Sequence, residues 1–503
     1  MTELPQGMFE KHQKLTQGII GGFFVLLFLW LALFPDSYQG AVGVSFAWST
    51  RAFGWFWQLL VFLLFGVTIA IAASPLGKKR LGDQPPELGY FSWLAIILST
   101  LLAGGGIFWS AAEPLYHLQN TPPTLAAQPG ASSALAQSYF HWGFLAWTAL
   151  GTMAIVPLQA VFRKKKLRNR PAALLYPVVP QRYLEGALGH VVDAVAVISA
   201  LIGTIGPIGF LGVQLSYILS STTPLPDSVT TQLILISLLA AVYTISAVRG
   251  IARGIRVLSI LNMALCGVFG AFILLSINGS EWLSLVGDAF GTFLANFPGL
   301  TFADSGAEWT HNWTHFFWGW FLGYGPIMAI FLFKVSQGRT IREIFLTVAL
   351  VAPLITNFWF SVVGGSGILL EQDGGAISAA LNESGMPAAL LAIIDQTSFR
   401  TLLIAFAIPL IFFFMATTGD SIALSVASIF SGDREPSKLS KVFWALAMAV
   451  IAAAVLVVGQ ENAISLFQQT IVVAAVPVSL IMLVASIAGT VILFRRRKGK
   501  SED

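Results

Sequence analysis

Two adjacent hydroxyls, Thr417 and Thr418, followed by Asp420 and Ser421, interrupt a phenylalanine-rich apolar run in FMATTGDSIALS at 414–425. A lone buried threonine usually bonds back to its own helix, but two together are the hard-oxygen ligands a dehydrated sodium ion takes. Asp420 is an acid among apolar neighbours, placed there either for function or to stabilise a helix near its cytoplasmic end. The second feature is Ala103-Gly104-Gly105-Gly106, which strips side chains from most of a helical turn. Such a run either packs helices closely or unwinds, and unwound backbone at membrane depth must line a cavity or be covered by protein. Backbone carbonyls ahead of it, near Ser99 and Leu102, would then join Thr417 and Thr418 around sodium.

Aromatic residues gather at both features. Trp109 follows the glycines, Trp142 and Trp147 lie in the next apolar run, and Trp318, Trp320 and Phe321 precede Gly323-Tyr324-Gly325-Pro326. An interfacial belt accounts for Trp55, Trp57, Trp309 and Trp313. Trp147 lies deeper, about ten residues inside its run, or some 15 Å at about 1.5 Å per residue. Ring faces lining a cavity attract organic cations by about 0.5–2 kcal/mol each. His311 and His315 have the spacing of a metal-ligand pair, yet no third ligand accompanies them. No nucleophile/base or metal constellation is visible, so an enzyme is not expected.

The elements that must position these groups follow from composition. Of 503 residues, 56% are hydrophobic and 10% charged, against roughly 25% charged in a soluble domain. At about 20 residues per crossing, roughly 280 hydrophobic residues supply about a dozen spans, so the chain is an all-α polytopic membrane protein in a lipid bilayer. The net charge of +4 sits in short clusters between apolar runs, which argues against nucleic acid as a partner. The single cysteine, Cys266, excludes a disulfide framework.

Twelve spans are expected, at 17–35, 53–74, 91–116, 137–162, 190–220, 230–248, 255–277, 313–335, 341–371, 400–431, 439–459 and 463–494. On that map 26 of the 28 basic residues fall on the side of the termini, and only Arg51 and Arg400 oppose them. The bias puts both termini in the cytoplasm. Residues 281–302 read as a helix along the outer surface or a re-entrant hairpin, and 117–136 and 372–399 as outside loops. Breaks at the triple glycine and at Gly323 to Pro326, five spans apart, point to an inverted-repeat transporter with its site at the midplane. The segments are then two added helices in 1–90, a five-helix repeat in 91–277, an outer helix and loop in 278–312, a second repeat in 313–494 and a basic tail in 495–503.

The chain resembles the betaine/choline/carnitine transporter family. WTHFFWGWFLGYGPIMAIFLFKVSQGRTIREI at 313–344 carries the resemblance, with GIFWSAAEPLYH at 106–117, FHWGFLAW at 140–147, GIARGIRVLS at 250–259 and FMATTGDSIALS. The resemblance implies twelve spans in a five-plus-five inverted repeat, a homotrimer in the inner membrane and uptake of trimethylammonium or similar zwitterionic solutes, coupled to sodium or protons or by exchange without an ion. The family's aromatic box corresponds to Trp142, Trp147, Trp318 and Trp320. Leu150 stands where a tyrosine is usual, and Phe321 and Tyr324 where tryptophans are. Phe414, Thr417 and Thr418 match the main sodium site. Asn262 replaces an arginine of ion-independent exchangers, which favours coupling. A second sodium site at Thr204 is weakened by Pro207, and Met328 matches an exchanger methionine. The short tail lacks the charged extension of osmosensing members.

A betaine-type zwitterion is the expected substrate, ahead of taurine or another amino-sulfonate, with ion-independent exchange as the alternative. No cofactor is expected beyond the coupling ion. The topology has a direct test: a cysteine introduced at Lys165 should react only with reagents admitted to the cytoplasm, and one at Asn382 only from outside. The opposite pattern would reject the span map.

Overall fold

In the computed structural model, residues 6–102, 106–164, 170–304, 306–371, 375–431 and 435–495 are described. Among these the chain is helical, with one isolated antiparallel bridge between Arg80 and Thr340. Lipid offers no hydrogen-bond partner to the backbone, so apolar runs close their own ladders as helices. Nine helices among the described residues are long and apolar enough to cross a membrane. One of these, Lys438–Phe494, contains two helices, Lys438–Gly459 and Ala463–Arg495, joined at Gln460 with φ 47°.

Burial sorts the helices into centre and rim. Glu308–Val335 is buried along all of its most apolar stretch and Ala187–Thr222 along 89%, whereas Lys14–Leu33 is buried along only 28%. The first two form the centre of the bundle and the last faces outward. A Ser199 Oγ to Gly323 carbonyl bond of 3.2 Å ties the two central helices together.

The stretch that frames the site is the one without a long helix. Tyr90–Leu102 ends where the glycine run begins, and Phe108–Gln119 resumes beyond it. Ala103, Gly104 and Gly105 lie outside the described residues, so the expected unwinding is not placed there. The next run, expected as one span over 137–162, is three helices: Ala131–Trp142, Phe144–Ala149 and Ile155–Lys164. Gly143 breaks it at φ −95°, ψ −138°, and Gly151, with φ +93°, sits in the second interruption.

The second expected break does not form. Phe316–Val335 is one helix through Gly323, Tyr324, Gly325 and Pro326, preceded by a wide turn over His311–His315. The glycines there serve packing: a Cβ on Gly323 would stand 3.0 Å from Ala475 Cβ, and one on Gly325 would stand 2.5 Å from Met482 Sδ. Small residues at helix interfaces let neighbours approach without unwinding anything.

Two segments also differ from expectation. The second helix begins at Pro35 and runs to Ala73, 39 residues, because Pro35 opens it and Asp36 occupies its first turn. The 372–399 segment holds helices Ala376–Ser384 and Ala389–Asp395, with Leu390, Leu391 and Ile393 buried. Residues Gly279–Ala295 form the expected amphipathic helix, capped by Asn278 and burying Trp282, Leu285, Ala289 and Phe293 on one face.

Gly151 is the tightest of these joints. A Cβ there would stand 2.7 Å from the Ala329 nitrogen and collide with the Gly325 carbonyl, both backbone of the central helix, at a φ that L side chains rarely adopt. Gly151→Ala should therefore lower stability by about 1–3 kcal/mol. Thermal unfolding of the purified protein checks this, and an unchanged midpoint would contradict it.

Candidate functional site

The residues flanking both interruptions meet the central helix around one cavity. Thr100 and Leu102 come from the end of the Tyr90–Leu102 helix, and Trp142 and Leu150 from the two sides of Phe144–Ala149. Trp320, Phe321, Tyr324 and Met328 come from Phe316–Val335. The space among them is about 10 Å³, room for a single water.

Aromatic geometry fixes the walls. Trp142 meets Phe321 edge-on with centroids 5.2 Å apart and Trp320 at 6.1 Å, while Trp320 and Phe321 stack at 5.7 Å. Trp320 Nε1 donates to the Gly203 carbonyl at 3.3 Å, and Tyr324 Oη donates to Thr204 Oγ1 at 3.2 Å. These bonds anchor the polar ends of two rings on Ala187–Thr222, leaving ring faces as the lining.

Three tryptophans expected at the site lie elsewhere. Trp147 donates to Thr356 Oγ1 at 3.1 Å and does not line the cavity. Trp318 packs edge-on against Phe140, and Trp109 against Phe210 and Phe317. Helical periodicity explains this: Trp318 lies two residues before Trp320 and faces another direction, and Gly143 turns Trp147 away from Trp142. Of the four tryptophans assigned to an interfacial belt, Trp55 alone is exposed. The Gly106 carbonyl is not free for a ligand, since Trp359 Nε1 and Ser110 Oγ both donate to it.

Beside the cavity lies an oxygen-rich cluster. Thr417 Oγ1 is 3.1 Å from the Ser99 carbonyl, and Thr418 Oγ1 is 3.4 Å from the Thr100 carbonyl. Both hydroxyls also reach the Phe414 carbonyl, at 3.0 and 3.2 Å. Gly106 packs so tightly on Phe414 that a Cβ would stand 2.5 Å from that ring. The donor set of neutral hydroxyls and carbonyls is the hard-oxygen chemistry of a small cation. Leu102 contributes its side chain to the cavity wall.

Thr100 was not singled out from sequence, yet it belongs to both features. Its side chain lines the cavity and its hydroxyl lies 3.0 Å from Ser421 Oγ. Ser421 in turn donates to Asp420 Oδ1 at 3.1 Å, and Ser246 donates to Oδ2. Thr204 Oγ1 donates to the Ala200 carbonyl at 2.7 Å while accepting from Tyr324, so its hydroxyl is committed to the aromatic wall. Asn262 is fully buried, and its side-chain amide has no partner among the described residues.

A third cluster also escaped the sequence reading. Glu113, His117 and His141 are all fully buried, and one ligand atom from each lies within 4.8 Å of the others. His141 Nδ1 is 2.6 Å and His117 Nε2 3.2 Å from Glu113 Oε1, and Trp142 Nε1 donates to Oε2 at 2.7 Å. The available signal was the i,i+4 spacing of Glu113 and His117 inside an apolar run, with His141 adjacent to Trp142. Among the described residues this is the one such group of three, and the His311–His315 pair gains no third partner.

A model of betaine/carnitine/choline family transporters matches residues 18–498. Glycine betaine transporter 2 of Vibrio parahaemolyticus is 40% identical over 481 residues, 94% of this chain and 89% of that protein. The glycine betaine transporter OpuD of Bacillus subtilis is 30% identical, covering 98% and 97%. The high-affinity choline transport protein of Escherichia coli is 31% identical, covering 92% of this chain and 69% of its own length.

Proposed function

The chain belongs to the betaine/carnitine/choline transporter family, and we propose that it imports glycine betaine through the cavity between Trp142 and the Trp320–Tyr324 face, driven by sodium. The observation that carries this reading is a cavity lined by four aromatic side chains and joined through Thr100 to a cluster of hydroxyls and carbonyls. A quaternary ammonium has no N–H to donate, so only ring faces can hold it, at about 0.5–2 kcal/mol per ring. The carboxylate end needs donors, and Thr100 brings a hydroxyl to the lining. A zwitterion therefore fits both ends better than choline does. Leu150 and Phe321 leave fewer electron-rich faces, and this keeps taurine as the second substrate to test.

Sodium enters as a co-substrate. Thr417, Thr418 and the Ser99, Thr100 and Phe414 carbonyls would surround it, and the hydroxyl protons now pointing at those carbonyls would turn away. Asn262 supports ion coupling over exchange, because this buried position carries no fixed positive charge to replace the ion. The architecture that accompanies this reading is twelve spans. Nine apolar helices, one of them double, are joined by the interrupted stretches 90–119 and 131–164. We place the protein as a homotrimer in the inner membrane with cytoplasmic termini, built on a five-plus-five repeat.

Uptake of radiolabelled glycine betaine into proteoliposomes tests the function. It should require an inward sodium gradient and proceed without internal substrate; uptake that needs internal substrate and ignores sodium would establish exchange instead. Thr418→Ala should raise the sodium concentration for half-maximal uptake roughly tenfold, the equivalent of about 1–3 kcal/mol for a lost buried ligand. Unchanged sodium dependence in the Thr417/Thr418 double alanine variant would remove the ion from this cluster.

The two tryptophans separate in a binding assay. Trp142→Leu should abolish glycine betaine binding, whereas Trp147→Leu, outside the cavity, should weaken it several-fold at most. Equal loss in both variants would contradict the placement of Trp147.

A further inference from the structure

The buried acid behind Trp142 has no part in the reading so far, and its surroundings are unusually specific. Gln137 Oε1 accepts from Thr124 Oγ1 at 3.3 Å, which turns the amide nitrogen of Gln137 toward His141 Nε2 at 3.0 Å. An amide nitrogen only donates, so His141 Nε2 accepts and its proton resides on Nδ1, 2.6 Å from Glu113 Oε1. Thr314 Oγ1, 3.0 Å from the same Nε2, reinforces that tautomer. The Trp142 indole N–H, also a donor only, addresses Oε2 at 2.7 Å. Both carboxyl oxygens thus receive donors of fixed direction, and His117 supplies a third nitrogen at 3.2 Å. Donors converging on both oxygens suit a carboxylate. The rings of Trp309 and Trp313 cover His117 at 5.5 and 4.6 Å and keep water from the group.

We propose that Glu113 is the positioning residue that makes the cavity selective for a cationic head group, holding the Trp142 indole by its N–H and lending that ring its negative charge. The proposal rests on the reading of the cavity as the substrate site. A hydrogen bond to an anionic acceptor polarises the indole, and in a dry, low-dielectric setting the polarisation reaches the ring face that lines the cavity. The same carboxylate fixes the ring's orientation, so the two effects act on one side chain. Substrates of the same shape with an uncharged head group gain from the second effect only.

A pair of probes separates the effects: glycine betaine and 3,3-dimethylbutanoate, its isostere with carbon in place of the quaternary nitrogen. Binding of both to the purified full-length protein is measured by calorimetry. Glu113→Gln should weaken glycine betaine by about tenfold or more while leaving the isostere within about twofold, collapsing the preference between them. Equal weakening of both probes would reduce Glu113 to a structural role, and no weakening of either would remove it from selectivity; each overturns the proposal. Should Glu113→Gln not fold, Trp142→Phe keeps a ring and deletes the N–H, and it should lower the preference about threefold; an unchanged preference there overturns the proposal equally. Trp142→Leu distinguishes the levels. Wild-type betaine affinity in that variant refutes the cavity reading and this proposal with it. Lost affinity there beside an unaffected Glu113→Gln refutes this proposal alone.

Discussion

Lipid supplies no hydrogen-bond partner to a backbone carbonyl or amide, so a span that crosses it has to satisfy both from within the protein. A carbonyl without an intrahelical partner costs several kcal/mol at membrane depth, so each interruption needs a side chain from another helix to repair it. The repairs coincide with the candidate site. The Ser99 carbonyl, at the last turn before the glycines, is met by Thr417, and the Gly106 carbonyl just after them by Trp359 and Ser110. The Gly203 carbonyl, which Pro207 four residues on leaves without an intrahelical donor, is addressed by Trp320. The groups that keep the broken helix tolerable are therefore the ones available to a solute or an ion. Structural satisfaction and binding capacity are the same inventory of atoms.

Three buried acids inside the bundle follow one pattern. Asp420 is held by Ser246 and Ser421, Glu113 by two histidines and Trp142, and Asp193 by Arg170 and the Ala172 amide. None stands alone, as expected where an uncompensated charge costs far more than a hydrogen bond returns. Their placements differ in consequence. Asp193 pins the connection before Ala187–Thr222, whereas Asp420 and Glu113 each sit one side chain behind a wall of the cavity or the oxygen cluster. The reach of such a charge depends on the intervening group, a hydroxyl at Ser421 and a polarisable indole at Trp142.

What the sequence disclosed follows from which signals are local. Hydrophobic runs mark helices because lipid enforces helicity, and Thr417 and Thr418 stand out as the only paired hydroxyls in a phenylalanine-rich run. Phe316–Val335 misleads because Gly-Tyr-Gly-Pro is a breaker in water, yet here Ala475 and Met482 fill the space against its glycines and the helix is continuous. The fourth run misleads in the opposite sense. Gly143 looks like one more small residue, and the turn at Gly151 is stabilised by backbone of a helix some 175 residues away that no local window contains. Trp147 and Trp318 illustrate the same limit: depth can be counted along a helix, but the direction of a ring depends on where the helix is broken. The Glu113–His141 bond joins residues 28 apart across a loop, so only the adjacent Glu113 and His117 spacing was local enough to read.

The size of the cavity constrains how any solute enters it. About 10 Å³ accommodates a single water, so a molecule as large as glycine betaine has to part the walls. One wall, carrying Trp320, Phe321, Tyr324 and Met328, is a single buried helix with neighbours on every side, and bending it would break its ladder in a dry core. The opposing wall is made of helix ends: Thr100 and Leu102 stand at the end of one helix, and Trp142 and Leu150 flank a six-residue helix bounded by Gly143 and Gly151. Changes in φ and ψ are least costly at element ends, where few intrahelical bonds are lost. On the proposed reading of the cavity as the substrate site, opening moves the interrupted wall against the continuous one. The breaks that lipid makes expensive are kept where the protein has to move.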